Sequence, residues 1–228
     1  MKPIIFSTPM VQAIFAGNKS QTRRVIKFKE EPKHNDLELY APMGGLIRGA
    51  ISNTTARVYY AHVPYQKGDI LWVRETWTAI RNIETGHTDY FYAAEERDYD
   101  TVSSTYLCDD DGFDTGKPFP WHSSRYMKKD LARLFLRVTD ANIARVQAIT
   151  ALEARKEGVG DSFLGDCAYD NKYKDIPWNQ QDGLGVHQFA RLWDSINAKR
   201  GYAWDTNPWV WVISFERISK EEAYATEN

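Results

Sequence analysis

The residues best suited to chemistry lie in a short basic segment near the start of the chain. Thr22 carries a hydroxyl that becomes a nucleophile when a base takes its proton, and Lys19 lies three residues away, within reach around a turn. A free lysine titrates near about 10.4, so Lys19 must lose its charge to act as that base. Burial and neighbouring cations such as Arg23 and Arg24 lower a lysine pKa. The structural alternatives are a helix-end cation for Lys19 and an ordinary strand residue for Thr22.

A second set of residues could bind a ligand. In a strand, Arg23 and Arg24 point to opposite sides, so that one of them can meet a phosphate or a base edge. Aromatic rings at strand ends are candidate stacking surfaces for a nucleobase. Polar side chains beside those rings could discriminate between bases. The predicted ligand-binding residues are Arg23, Arg24, Tyr65, Glu75, Thr76 and Trp77.

Short helices and strands must position these residues. Ser7 and Pro9 predict the start of a helix with a capping hydroxyl, and Gly17 predicts its end. Thr150 and Glu153 form a capping box that begins another short helix, which Gly158 closes. Apolar runs predict strands at residues 3–6, 23–26, 57–63, 69–76, 134–139 and 209–216, and an amphipathic helix at residues 186–196.

These elements predict one α+β domain built on a strongly curved sheet or small barrel. The 8 Trp, 13 Tyr and 10 Phe favour strands. The domain is expected to span residues 1–218, with residues 79–120 as an acidic insertion that contains a strand at 90–93. Residues 219–228 are polar and are expected to form a frayed tail.

The charge distribution limits the possible partners. The net charge of −2 provides no general attraction for long duplex DNA, so a nucleic-acid partner needs a local basic patch. Residues 1–29 carry Lys and Arg without any acid, whereas residues 82–116 are strongly acidic. The 2 Cys and 5 His show no metal-ligand spacing, so neither a metal nor a cofactor is expected. Without a visible signal peptide or apolar span, a cytoplasmic protein without membrane contact is expected.

Four segments in order together resemble the ASCH domain family, which is related to the PUA RNA-binding domain. Residues 16–24 are similar to its G-x-K-T-x-T-x-R signature, with Ser20 in place of the first Thr. Residues 67–73 resemble its turn-plus-strand element, residues 149–159 resemble its "I-T-x-x-x-A-x-x-E-G" helix, and the Trp-rich final strand completes the match. This chain resembles a longer form of the ASCH domain that is common in bacteriophages and prophages.

The resemblance implies a PUA-like β-barrel with flanking short helices and a cleft for a nucleoside or single-stranded RNA. Small bacterial members of the family are N(4)-acetylcytidine amidohydrolases, whose catalytic Lys, Thr and Glu fall on Lys19, Thr22 and Glu157. In that scheme Glu157 relays a proton to the leaving amine or orients Lys19; alternatively, it is a solvated acid at a helix end. The chain is thus expected to hydrolyse an acylated cytosine nucleoside. Two alternatives stay open: a non-catalytic reader of RNA or modified bases, and a phage accessory protein that binds a host partner.

Overall fold

The computed structural model describes residues 1–30, 32, 35–41, 47–81, 86–95, 120–159 and 183–226. The strands are β1 (Lys2–Ile5), β2 (Gln21–Val25), β3 (Leu37–Tyr40), β4 (Gly49–Ser52), β5 (Val58–Tyr60), β6 (Ile70–Arg74), β7 (Trp77–Arg81), β8 (Thr88–Tyr92), β9 (Phe135–Arg145) and β10 (Trp209–Ile218). The α-helices are α1 (Thr8–Phe15), α2 (Ala151–Lys156), α3 (Gly183–Asn197) and α4 (Lys220–Ala225). Strands and short helices confirm the predicted α+β class.

A five-stranded sheet forms the centre, in the order β1-β6-β9-β10-β2. β1 runs parallel to β6, and the other neighbours are antiparallel. The predicted membership of β6, β9 and β10 in one sheet is confirmed. Two smaller sheets, β3-β4-β5 and β7-β8, flank it.

The described strands do not close into the expected barrel. β1 and β2 are the two edges of the central sheet and share no ladder. They nevertheless face each other, because the Arg24 side chain on β2 donates a hydrogen bond of 2.8 Å to the Ile5 carbonyl on β1. We call this gap between β1 and β2 the seam.

The alternation of side chains along β10 places its two faces in two different hydrophobic clusters. Val210 and Val212 pack with Phe189 and Trp193 of α3. The opposite face of β10 packs against α1 and β6, as the predicted apolar face of this strand requires. That face consists of Trp209, Trp211, Ile213 and Phe215. The two clusters thus hold α1 and α3 on opposite sides of β10.

The predicted capping box is confirmed in α2, where Thr150 accepts from the backbone of Glu153 and Glu153 accepts from the backbone of Thr150. The prediction that a hydroxyl caps the start of α1 is wrong. Ser7 holds the N-cap position with extended backbone, but its side chain makes no cap hydrogen bond. Pro9 at the helix start already removes one of the backbone donors that a cap would satisfy.

The predicted insertion begins with a hairpin formed by β7 and β8, so the strand expected at residues 90–93 is present as β8. Residues 96–119, which hold many of its acids, lie outside the described residues. The prediction that residues 219–228 form a frayed tail is wrong for residues 219–226, which the structure describes. Ser219 caps α4, Ala223 is fully buried, and the Tyr224 ring lies 5.9 Å from that of Phe135. Within the described residues, no helix is both long and apolar enough to cross a membrane.

Candidate functional site

Lys19 and Glu157 meet although 138 positions separate them in the chain. α1 and α2 end side by side: Lys19 and Glu157 form an isolated antiparallel bridge, and the Ser20 amide donates to the Lys156 carbonyl at 2.9 Å. Gly17 and Gly158 take positive φ angles of 77° and 85° at the two helix ends. The two predicted helix terminations therefore create the contact between the predicted catalytic residues.

Gly158 is required by the closeness of this contact as well as by its backbone angle. A Cβ added at Gly158 would lie 2.9 Å from the Ala13 Cβ and 3.1 Å from the Lys19 Cβ. Real Cβ atoms essentially never approach a neighbour as closely as the first of these distances. Glycine therefore lets α2 approach the base of the Lys19 side chain.

Lys19 is a fully buried cation whose side chain has 0% exposure. Its Nζ donates to the Gln21 carbonyl at 2.7 Å, to the Glu157 carbonyl at 2.8 Å and to Glu157 Oε2 at 3.0 Å. These three acceptors match the three hydrogens of an ammonium group. Burial lowers the pKa of Lys19, and this effect outweighs the opposing attraction of Glu157. Lys19 therefore releases its proton more readily than a surface lysine.

Arg23 is the second cation bound to Glu157. Its Nη1 donates to Glu157 Oε1 at 3.0 Å and to Gln21 Oε1 at 2.8 Å, and its Nη2 lies 3.2 Å from Glu153 Oε2. Glu157 therefore bridges two buried cations, one at each carboxylate oxygen. Arg23 Nε is buried and has no hydrogen-bond partner within the described residues.

A cavity of about 350 Å³ opens beside this cluster, within the range of about 300 to 1,000 Å³ usual for small-molecule sites. Thr22 and Glu157 line it, but Lys19 is sealed behind Glu157. The Thr22 residue is only 3% exposed, and its hydroxyl makes no hydrogen bond in the described part of the chain. The opposite wall comes from α3 and the turn that follows it, through Phe189, Leu192, Trp193, Ile196, Asn197 and Arg200.

The predicted ligand-binding residues fall into two groups. Arg23 and Arg24 line the cavity, and Tyr65 lies across the seam, where its hydroxyl donates to the Pro3 carbonyl at 2.6 Å. Glu75, Thr76 and Trp77 do not line this cavity and lie apart from it. Glu75 is buried against Arg133, with two bonds of 2.9 Å, and the Trp77 ring packs 5.2 Å from that of His122.

The sequence did not predict that α3 forms one wall of the cavity. It also did not predict that Gln21 and Glu153 bind Arg23. Phe189 and Trp193 read as the core stripe of an amphipathic helix, which they are, but they also face the cavity. Gln21 lies within the basic segment, where its side chain gave no signal of its own. The pairing of Arg23 with both Glu157 and Glu153 became visible only when α2 was placed against β2.

Comparison of the chain with protein-family models, with curated proteins and with solved structures gives no match. Among the described residues, no group of three or more His, Cys, Asp or Glu side chains could hold a metal ion. The site is therefore defined by the cluster of Lys19, Arg23 and Glu157 and the cavity beside it. Its cavity is cation-rich on one side and apolar on the other, and its lining includes the hydroxyl residues Ser7 and Thr22 and the carboxylate of Glu157.

Proposed function

We propose that this chain is a PUA-like protein of the ASCH kind that hydrolyses the amide bond of an acylated cytosine nucleoside. The observation that carries the proposal is the convergence of Lys19 and Glu157 beside a cavity whose wall includes Thr22. Such a convergence matches the catalytic trio implied by the resemblance. Burying a lysine with a carboxylate is also a poor route to stability, because the cost of desolvation offsets much of the attraction.

In the proposed reaction, the Thr22 hydroxyl oxygen attacks the carbonyl carbon of the acyl group. Lys19, after losing its proton, takes the hydroxyl proton. The carbon–nitrogen bond breaks, and Glu157 passes to the departing exocyclic amine of cytosine the proton that it accepted earlier from the Lys19 ammonium group. Water then hydrolyses the threonyl ester, which releases the carboxylic acid and restores Thr22. Arg23 and Arg24 supply positive charge near the oxyanion that forms during attack.

The cleft also suits the base. Phe189 and Trp193 belong to the apolar wall of the cavity, although each of them is only 3% exposed. Lining arginines provide donors for the carbonyl oxygen of cytosine. A ligand with both polar and apolar groups therefore suits the cavity, which has cations on one side and apolar residues on the other.

A reader without chemistry is the second candidate, and one observation favours it. Lys19 does not line the cavity, and its Nζ already has three acceptors. In a reader, Lys19 and Glu157 would only brace the wall of a binding site. Catalysis requires Lys19 to exchange a proton with Thr22, so the two functions differ in what the Thr22 hydroxyl does.

Release of cytidine from N(4)-acetylcytidine by the wild type and by Thr22 variants tests the proposal. Thr22→Val keeps the shape of the side chain but removes the nucleophile, so turnover should fall by about 10² to 10⁴-fold or more. Thr22→Ser keeps a hydroxyl and should retain measurable turnover. If the wild type binds acylcytidines without releasing product, and Thr22→Val binds them equally well, the enzyme proposal is rejected and the non-catalytic reader is the remaining function.

A further inference from the structure

A second cavity of about 380 Å³ adjoins the first one. The two cavities share four lining residues, Ile5, Arg24, Val25 and Lys27, which belong to the seam and its immediate continuation. Beyond them, the second cavity is bounded by Tyr65, Arg74 and Trp211. The ligand space therefore continues through the seam, and Arg24 and Lys27 stand at the junction of its two parts.

Within the described residues, the cations at this junction make no direct contact with a carboxylate, although Glu157 is near enough to act on the charge of Arg24. Arg24 donates one N–H to the Ile5 carbonyl, and Arg74 donates Nε and Nη2 to the Met127 carbonyl at 3.2 and 3.1 Å. Within the described residues, neither arginine nor Lys27 forms an ion pair. The more deeply buried cations Lys19 and Arg23, by contrast, both contact Glu157.

The walls of the second cavity contain no Asp or Glu. Asp69 lies near Tyr65, but its carboxylate is already bound by Lys2 Nζ at 2.6 Å and by the Gln66 amide at 2.7 Å. Partly buried cations normally pair with an anion, because desolvated charge is costly when it is left uncompensated. Arg24 and Arg74 are partly buried, so a ligand would supply the anion that the described residues do not, and the exposed Lys27 adds positive charge beside them.

We propose that the ligand carries a phosphate ester on its ribose, and that Arg24 and Lys27 bind this phosphate at the junction, with Arg74 beyond it. Arginine binds phosphate oxygens through paired N–H donors, and lysine adds a point charge. The acylated base then occupies the first cavity beside Thr22. This inference rests on the proposed function for the base and its acyl group, and it assigns a phosphorylated cytidine in place of the free nucleoside.

The kinetic test compares kcat/KM for N(4)-acetylcytidine with that for its 5′-monophosphate and its 3′-monophosphate. The wild type should prefer one of the phosphorylated forms by about tenfold to a hundredfold, since charge-assisted hydrogen bonds contribute that much to binding. A 5′ preference assigns a mononucleotide, and a 3′ preference assigns the phosphate of an RNA chain. Equal values for all three substrates would overturn the proposal while leaving amide hydrolysis established.

Replacing the cations at the junction by neutral residues tests whether the phosphate binds there. Lys27→Gln should lower the ratio of nucleotide to nucleoside kcat/KM by about tenfold, and Arg24→Gln should lower it similarly. Lys27 is exposed, so that variant folds normally. Lys29→Gln is the matched control, because Lys29 is also exposed, lies two residues away and lines neither cavity. An equal loss in the Lys27 and Lys29 variants would show a general charge effect and would reject the junction site.

Binding measurements separate this inference from the proposed reaction. Calorimetric titration with cytidine, cytidine 5′-monophosphate and cytidine 3′-monophosphate requires no turnover. Tighter binding of a monophosphate that is lost in Lys27→Gln supports the site even if no acylcytidine is hydrolysed. Equal affinity for cytidine and both monophosphates rejects the site whatever the enzyme assay shows.

Discussion

Lys19 combines two opposing influences at the residue scale. Its three acceptors favour the ammonium form, whereas burial lowers its pKa below the ordinary value of 10.5. In the proposed reaction, Lys19 must be neutral when Thr22 attacks, and a lowered pKa makes that state accessible closer to neutral pH. Burial would thus assist the proposed role of Lys19 as a base, although it costs stability while Lys19 is charged.

The pKa of Lys19 predicts a pH dependence of stability. Because the folded-state pKa is lowered, the unfolded chain binds more protons between that pKa and 10.5. The free energy of unfolding contributed by this group therefore rises with pH through that window. Chemical denaturation of wild type and Lys19→Met across this range should show a shallower rise in the variant. Parallel curves would contradict the lowered pKa.

A conservative exchange at Lys19 distinguishes a base from a fixed cation. Lys19→Arg keeps the positive charge but cannot release a proton near neutral pH, so hydrolysis of N(4)-acetylcytidine should be abolished. In a reader, the same variant should keep much of the ligand affinity. Turnover and affinity measured side by side give the answer, and full turnover in Lys19→Arg would exclude Lys19 as the base.

At the scale of elements, the site depends on two helix ends that meet. α1 and α2 each end at a glycine with positive φ; Lys19 and Thr22 follow Gly17, whereas Glu157 immediately precedes Gly158. Gly158 also fills a place where Ala13 and Lys19 leave no room for a Cβ, whereas Gly17 has nothing within 4 Å of such an atom. A side chain at Gly17 would therefore cause backbone strain alone, whereas a side chain at Gly158 would cause backbone strain and a steric clash.

Substituting alanine for each of the two glycines measures the difference between backbone strain alone and strain combined with a steric clash. Gly17→Ala should cost about 1 kcal/mol, from the left-handed backbone alone. Gly158→Ala carries the same strain and also forces α2 away from Lys19, which should cost about 1 to 3 kcal/mol more. It should also weaken ligand binding, because Glu157 follows the displaced helix. Denaturation midpoints and affinities of the pair provide the measurement, and equal losses would mean that α2 adjusts freely.

At the scale of the whole molecule, three hydrophobic clusters surround one five-stranded sheet. The third cluster lies at the β6–β9 side, where Phe135 and Ile218 are covered by α4. Composition alone suggested that this polar segment would fray. The segment docks because one small apolar residue and one aromatic ring, Ala223 and Tyr224, meet the cluster, and Ser219 caps the helix.

A matched pair of substitutions in α4 tests this docking. Ala223→Asp places a carboxylate in a fully buried position and should destabilise the protein by about 2 to 4 kcal/mol. Ala225→Asp puts the same group at an exposed position of the same helix, and its cost should stay below about 1 kcal/mol. Thermal unfolding of both variants decides the matter, since a frayed segment would tolerate the two changes equally.

The sequence by itself determined the local features. Hydrophobic runs located β6, β9 and β10, because their burial is encoded in consecutive residues, and the Thr150–Glu153 capping box located α2. Family resemblance singled out Lys19, Thr22 and Glu157. Only the tertiary structure decided that Lys19 lies sealed behind Glu157, that Glu75 pairs with Arg133 instead of joining the site, and that Arg24 stands between two cavities. The physical reason is that these pairings join residues distant in the chain, and their distances depend on how the sheet curves and where the helices pack.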